Sequence, residues 1–428
     1  ADRTDRRVPL ATIVHLTDVH VIDAQSPGRV EYLDDVNPAF SAAFRPQELL
    51  TTQVQSSMVR RIRDVRVGPI CGRRFDCAVS TGDNIDNQQH NELDWFMGVL
   101  DGGTVSPNSG DRRDYEGVQA TDWADPRFWH PEAAGADRYA TDQGFPVIDG
   151  FLRAAIADID SPGLDIPWYS TYGNHDGLLQ GTVAPDASLR ALAIGDQRVT
   201  GLPVGADPML TAEAIAMVGP ARYVHDASSP RVPIPPDAER DFVSAARFAA
   251  LLRGPAAGPA YFVHDLDRVR LVCLDTVNPH GGWQGSLDRE QFDWLARVLD
   301  ESADRYVVVA SHHPSPTLVN DYVPAGTSPR VLGPEVVDLL LASRSVVAWI
   351  AGHVHVHAAQ YRGDEQRGFW EITTSSLIDW PQQVRLLELL RVDDGAGPQI
   401  ALVSTVVDHA SPSGMGAGFW ADGPDLSD

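Results

Sequence analysis

Short aliphatic and β-branched runs recur along the chain, and each ends abruptly in polar residues. Thr12-Ile13-Val14 precedes Thr17-Asp18-Val19-His20, and Ala78-Val79-Ser80 precedes Gly82-Asp83. Trp168-Tyr169-Ser170 leads into Gly173-Asn174-His175-Asp176, Tyr306 to Val309 into Ser311-His312-His313-Pro314, and Val346 to Ile350 into Gly352-His353-Val354-His355. Runs of this length suit strands buried on both faces. Segments of helical period lie between them: Leu49 to Val65, Val147 to Ile159, and Leu287 to Leu299, where Leu287, Phe292, Leu295 and Leu299 share one face. Strands alternating with helices predict a layered α/β fold. Ligands of such sheets gather beyond the carboxyl ends of the strands, and all five polar clusters stand there in sequence.

Two regions interrupt this rhythm. Residues 101–143 are rich in Gly, Asp, Pro and aromatics (Trp123, Phe128, Trp129), and residues 177–260 mix Ala-rich helical stretches with Val232-Pro233-Ile234-Pro235-Pro236. Both read as insertions beside the site rather than extra sheet, and as candidates for a cap that shapes a substrate pocket. Trp370 to Thr374, Val384 to Leu390 and Ile400 to Val407 read as strands closing a second sheet. The expected organisation is one domain over residues 1–410, followed by an irregular Gly/Pro/Ser/Asp-rich tail over 411–428, with no internal repeat.

Composition narrows the partners. Acidic residues outnumber basic ones 59 to 34 for a formal charge of -25, and every basic residue is Arg. General nucleic-acid binding and attraction to an anionic membrane are therefore disfavoured, and any phosphate-contacting cation must be an Arg or a metal. No run approaches the roughly 18 apolar residues of a membrane span, and residues 1–10 lack the apolar stretch of a signal peptide. Cys71 and Cys77 enclose a short loop, whereas Cys273 lies in an apolar run. A Cys71–Cys77 disulfide and a pair of reduced thiols are both open.

The polar clusters carry the chemistry. Asp18-Val19-His20 at a strand end puts a carboxylate and an imidazole on the same side of an extended chain. Gly82-Asp83 offers a carboxylate in a tight turn, and Asn174 a neutral oxygen ligand with His175 beside it. Alone each is weak. Five histidines directly after two apolar strands, His312-His313 and His353, His355 and His357, are harder to explain, because burying imidazoles without partners is costly and metals are their usual partners. The spacing aligns these imidazoles only while the strand lasts, so His357 belongs to the site edge or faces solvent and is left outside the metal set.

The order Asp-x-His, Gly-Asp, Gly-Asn-His-Asp, His-x-Pro, Gly-His-x-His resembles the calcineurin-like metallophosphoesterase superfamily. The motifs span Asp18 to His355, and Gly281 to Leu287 with Gln291, Trp294 and Leu295 is similar to that family's connection into a late helix. The long insertions and the segment Thr373 to Gln383 resemble an actinobacterial group of exported phosphoesterases. The resemblance implies an α/β/β/α sandwich of two mixed sheets flanked by helices. It also implies two metal ions, drawn from Mn, Fe, Zn and Co, with Asp18, His20 and His355 on the first, Asn174, His312 and His353 on the second, and Asp83 bridging. His175 would contact the phosphoryl oxygen or protonate the leaving alcohol, oriented by Asp176. Purple acid phosphatases carry Tyr three residues after the bridging Asp. Asp86 stands there in this chain and would hydrogen-bond a ligand or cap the helix starting near Gln89, with Asn87 beside it and Asn84 open to the pocket. The implied activity is hydrolysis of small phosphate mono- or diesters by a hydroxide shared between the metals. The alternative is a degenerate, non-catalytic binding scaffold. A chain opening at Ala1 among charged residues reads as the mature form of an exported protein, and the sequence does not address its oligomeric state.

Overall fold

The computed structural model describes residues 7–34, 36, 40–122, 125–133, 135, 137–210, 226–255, 257–393 and 398–409. Trp123 and the tail 411–428 lie outside them. In chain order the strands are β1 (Arg7–Leu16), β2 (Cys77–Ser80), β3 (Gly103–Val105), β4 (Ile159–Ser161), β5 (Trp168–Ser170), β6 (Gln197–Val199), β7 (Arg231–Pro233), β8 (Phe262–Leu266), β9 (Val269–Cys273), β10 (Tyr306–Ser311), β11 (Val346–Ala351), β12 (Ala358–Gly363), β13 (Gly368–Thr373), β14 (Gln383–Asp393) and β15 (Pro398–Asp408).

Two mixed sheets face each other. One has the order β15-β14-β1-β2-β5 and the other β12-β13-β11-β10-β9-β8. Alternation along each strand builds the layers. Val308 and Ala310 of β10 point inward to meet Ala11 and Ile13 of β1, Val79 of β2 and Leu387 and Leu389 of β14. Val307 and Val309 point outward, against Leu295, Val298 and Leu299 of the helix Arg289–Asp300 and Val336 and Leu340 of the helix Gly333–Ala342. The outer face of the first sheet is covered by Val54, Met58 and Ile62 of the helix Thr51–Val65 and by Leu93, Phe96 and Val99 of the helix His90–Asp101. The result is an α/β/β/α sandwich in which strands are buried on both faces, so their sequences run apolar without interruption.

Four sequence expectations need correction. The late strands do not close one sheet: β13 pairs with β11 and β12, whereas β14 and β15 extend the sheet of β1. Val147 to Ile159 is not one helix: only Phe151–Ala155 is helical, and Ile159 opens β4. Gly150, with φ 77°, precedes the helix and holds the chain off helical geometry. The insertions do add sheet, though little: β3 pairs with β4, and β6 with β7, as two antiparallel ribbons. Leu287 lies before its helix, buried through a bridge to Val331, so the helix presents Leu295 and Leu299 without it. Cys71, Cys77 and Cys273 are free thiols. Among the described residues no helix is long and apolar enough to cross a membrane.

Among the described residues Trp349 is the largest fully buried side chain, and its indole nitrogen donates to Ser311 Oγ at 2.7 Å, tying β11 to the end of β10. Trp349→Ala is expected to cost about 3–5 kcal/mol through the cavity it leaves and the lost bond, read as a lowered midpoint in urea unfolding. A loss under about 1 kcal/mol would mean that the outer layer repacks freely.

Candidate metal centre

Parallel strands bring the polar clusters to one edge. β1, β2 and β5 run parallel in one sheet, as do β10 and β11 in the other, so their carboxyl ends lie together. Asp18, His20, Asp83, His353 and His355 all follow those ends with φ of 51°, 46°, 50°, 67° and 53°. This left-handed backbone costs a non-glycine residue about 1–3 kcal/mol and persists only where its surroundings enforce it. Interlocking loops supply that enforcement: Asp18 N donates to Gly82 O (3.0 Å), His20 N to Asp83 O (2.9 Å), Gly352 N to His312 O (2.9 Å) and Leu377 N to Asp18 O (3.0 Å). Sharp turns past the strands, rather than the alternation of an extended chain, therefore aim Asp18, His20, His353 and His355. Two glycines permit the approach: a Cβ on Gly173 would strike Asp83, and one on Gly352 would strike Thr17 and Asp18.

The predicted side chains converge in two connected groups. His312 Nε2 lies 2.9 Å from Asn174 Oδ1, 3.2 Å from Asp83 Oδ2 and 3.3 Å from His353 Nδ1. His355 Nε2 lies 3.3 Å from Asp18 Oδ1, and His20 Nε2 lies 4.0 Å from that oxygen and 3.7 Å from Asp83 Oδ2. Asp83 Oδ2 thus faces both groups. Asp18, His20 and His355 present ligand atoms close enough to share one cation, as do Asp18, Asp83 and His312. His20 Nε2 is buried without a hydrogen-bond partner, an expensive state for a polar nitrogen unless a cation takes its lone pair.

Outward-facing nitrogens are held by acceptors. His20 Nδ1 is 2.9 Å from Asp86 Oδ1, His355 Nδ1 is 2.7 Å from Asp379 Oδ2, and His312 Nδ1 is 2.9 Å from Thr81 O. Such partners fix the tautomer and leave the inward nitrogen free to coordinate. Burial, reinforced by His175, pushes His20 down to about 4, and burial with His312 pushes His353 down to about 3, so both stay neutral. Burial would also lower His312 and His355, but Asp83 and Asp18 respectively outweigh it and raise each to about 9. The two carboxylates thus demand positive charge, which protons or cations can satisfy.

His175 is held differently from expectation. The carboxylate of Asp176 turns away, accepting from Gly173 N (2.8 Å), Asn84 N (2.9 Å), Ile85 N (3.0 Å) and Asn84 Nδ2 (2.9 Å). Asp176 caps the turn that carries Asn174, because its position three residues after Gly173 suits it to the exposed N–H groups there. Asp86 Oδ1 lies 2.8 Å from His175 Nδ1 instead. Burial would raise Asp86, but His175, His20 and Arg29 hold it well below the usual carboxylate range. Gln89 and Glu92 cap the helix at His90 in Asp86's place, and Asn84 is buried against Asp176 and Ser80, away from the pocket. His357 hydrogen-bonds with Ser375, Gln383 and Arg385, outside the cluster.

The cleft over this centre has a volume of about 330 Å³ and adds residues that the sequence motifs did not assign to the site, Arg45 and Thr317 with no sequence signal at all. Arg45, Gln180, Thr182, Trp283, Gln284 and Thr317 line it beside Asp83, Asn174, His175, His353 and His355. Arg45 Nε lies 3.2 Å from Asp379 Oδ1, so one carboxylate positions both this guanidinium and His355. Of the insertions, 177–260 reaches the cleft through Gln180 and Thr182. Residues 101–143 instead place Tyr115, Phe128, Trp129 and Tyr139 behind Phe44, buttressing the segment that carries Arg45.

An α/β/β/α sandwich with an Asp/His/Asn cluster at converging strand ends defines the class, and sequence comparison gives the family. A family model described as calcineurin-like phosphoesterase matches residues 137–357, just over half of the chain, and the chain belongs to that family. A 3',5'-cyclic adenosine monophosphate phosphodiesterase of Pseudomonas aeruginosa is 31% identical over 101 residues, 23% of this chain and 35% of that protein. A probable cyclic nucleotide phosphodiesterase of Rhodococcus erythropolis is 34% identical over 113 residues, 25% of this chain and 35% of that protein. The match therefore spans about a third of each relative's length. Among solved structures, a dimetal phosphatase from Danio rerio aligns at a TM-score of 0.38 with 14% identity, covering 94% of this chain and 100% of that one. Calcineurin-like phosphoesterase YfkN from Bacillus subtilis aligns at 0.33 with 11% identity, covering 97% and 94%.

The centre rests on a buried ion network. Arg29 reaches Asp86 Oδ2 (3.2 Å), Glu31 Oε1 (3.0 Å) and Glu48 Oε2 (2.7 Å), all buried, and Arg198 of β6 pairs with Glu31 as well. Arg29→Ala would leave buried carboxylates without their shared cation, a loss of about 3–5 kcal/mol at neutral pH. Burial already lifts Glu48 to about 8 against the pull of Arg29, and Arg29 helps hold Asp86 down; losing the guanidinium would raise both, so the folded variant would bind more protons than the folded parent protein. Its deficit should therefore shrink as pH falls from about 7 toward 4, as urea unfolding at several pH values would show. A deficit independent of pH would contradict the assignment of charge.

Proposed function

We propose that this protein is a dinuclear metal-dependent phosphoesterase acting on small phosphate esters. Asp18, His20 and His355 would hold one cation, Asn174, His312 and His353 the other, and Asp83 would serve both. The observation that carries the reading is the position of Asp83 Oδ2 between the two groups, 3.2 Å from His312 Nε2 and 3.7 Å from the unpartnered His20 Nε2. Imidazoles, carboxylates and one amide suit Mn, Fe, Zn or Co rather than Ca or Mg. Two such cations would supply charge that polarises the phosphoryl group and acidifies water.

The chain's own residues complete the chemistry. His175 lines the cleft, its Nε2 4.0 Å from Asp83 Oδ2 and its Nδ1 against Asp86. Burial alone would lower its pKa, but Asp83 and Asp86 raise it. In that state Nε2–H donates to a phosphoryl oxygen or delivers a proton to the departing alkoxide, with Asp86 as the positioning carboxylate. Arg45 adds a fixed positive charge at the rim for phosphoryl oxygens. Partial similarity to phosphodiesterases acting on cyclic nucleotides supports diesters among the substrates, and the resemblance to an exported group supports action outside the cell.

Metal-stripped protein reloaded with Mn, Zn, Fe or Co is expected to bind two ions per chain and to hydrolyse bis(p-nitrophenyl) phosphate or p-nitrophenyl phosphate. Asp83→Ala should lose both metal content and turnover. His175→Gln should keep two ions while kcat drops by about 10²–10⁴. One ion per chain, or none, would sink the dinuclear reading.

A further inference from the structure

We propose that the cavity adjoining the metal cleft is a preformed subsite for a planar aromatic group carried on the substrate's phosphate; this rests on the phosphoesterase reading above. The cavity has a volume of about 350 Å³, and Trp283, Val319, Asn320 and Tyr322 are among its walls. Trp283 and Gln284 line both it and the metal cleft, so a group bonded to a phosphate at the metals enters it directly. Trp283, Val319 and Tyr322 are 42%, 54% and 56% exposed. Large apolar side chains gathered in one concavity beside polar catalytic groups mark the place where a ligand's apolar part is desolvated.

Charge and shape select the occupant. No Arg is among the residues lining this cavity, while Asp321 and His280 are, so its walls offer no fixed cation to hold a second phosphate. The cation, Arg45, stands in the metal cleft instead. Trp and Tyr offer flat, polarisable faces, which favour an aromatic ring over an aliphatic chain of equal area.

The walls are already held in place. Asn278 Nδ2 donates to Asn320 Oδ1 (3.0 Å) and Tyr322 O (2.8 Å), while Asn320 Nδ2 donates to Gly281 O (2.9 Å) and Gln284 O (3.0 Å). Gly282 N donates to Thr182 O at 2.8 Å. His313, buried beside His312 and His353, lies with Nε2 3.0 Å from Trp283 O. This last bond fixes the loop of Trp283 to the metal centre, and a Cβ on Gly285 would collide with the His313 ring. A subsite built this way spends little entropy on ordering when it binds.

The test measures binding to the Mn-loaded full chain by titration calorimetry, with two phosphonates whose C–P bond cannot be hydrolysed by this chemistry. 1-Naphthylmethylphosphonate is expected to bind about tenfold more tightly than propylphosphonate. In Trp283→Ala and in Tyr322→Ala that ratio should fall toward one. Tyr322 holds its loop through backbone atoms, so Tyr322→Ala keeps the fold, as an unchanged thermal midpoint would verify. Equal affinities in the wild-type protein, or a tenfold ratio surviving in both variants, would overturn the subsite while leaving the phosphoesterase reading intact. Failure of both phosphonates to bind would overturn the subsite and the phosphoesterase reading together.

Discussion

Two carboxylates buried side by side are the constraint around which the rest is arranged. Asp18 and Asp83 are fully enclosed, and solvating them by protein alone takes several donors. His353 N gives 3.1 and 3.0 Å bonds to the two oxygens of Asp18, and His175 N a 2.8 Å bond to Asp83 Oδ1. Those backbone donors act on one side only. On the other side stand imidazole nitrogens, which can answer negative charge by taking up a proton or by sharing a cation. The raised values of His312 and His355 and the depressed ones of His20 and His353 are two faces of the same demand: the first pair lies against a carboxylate, and the second is dominated by burial. A metal pair would satisfy all four at once, which protons cannot do without crowding like charges.

The strain at these positions follows from the same requirement. A side chain leaving a regular strand points across the sheet face, into the sandwich, where no ligand can reach it. Turning the chain into the left-handed region just past Leu16, Ser80 and Ala351 aims side chains over the end of the sheets instead. Loop-to-loop bonds such as Asp18 N to Gly82 O and Gly352 N to His312 O then hold each turn against its neighbour, so strain at one residue is supported by structure at another. This also accounts for Gly173 and Gly352, which stand where a Cβ would push two such loops apart.

Much of this was legible from the chain alone, for identifiable reasons. Strands buried on both faces read as uninterrupted apolar runs, so β1, β2, β5, β10 and β11 announce themselves, and the residues after each are the ones the fold gathers. β12 was invisible because it is an exposed edge strand with no apolar alternation. The helix expected over Val147 to Ile159 failed because Gly150 and a short ribbon outweigh local apolar period. Asp176 was assigned to His175 by adjacency, yet a residue next in sequence points elsewhere when its carboxylate is taken by the N–H groups of its own turn. Asp86, 89 positions before His175, lies against its Nδ1 instead, a proximity that only tertiary structure makes. Arg45 is one arginine among many, and nothing local marks it. Asp379 lay within a segment whose resemblance was visible but whose role depends on meeting His355 across the site.

The acidic surface gives those few local cations their importance. At a net charge of -25 the protein as a whole repels phosphate esters, and the repulsion is damped only over the roughly 8–10 Å screening length of physiological salt. Capture must therefore be short-ranged. Metal charge at the centre and the Arg45 guanidinium at the rim would act within that distance, while an aromatic subsite adds binding free energy that owes nothing to charge. The architecture separates the two contributions spatially. On the proposed reading, electrostatic recognition would sit where the strand ends of both sheets meet, and apolar recognition on the loops around Trp283 and Tyr322, joined to the centre through His313. A change in the outer loops would then alter which organic group such a site accepts without disturbing the buried carboxylates, because the loop is tied to the cluster by a backbone carbonyl.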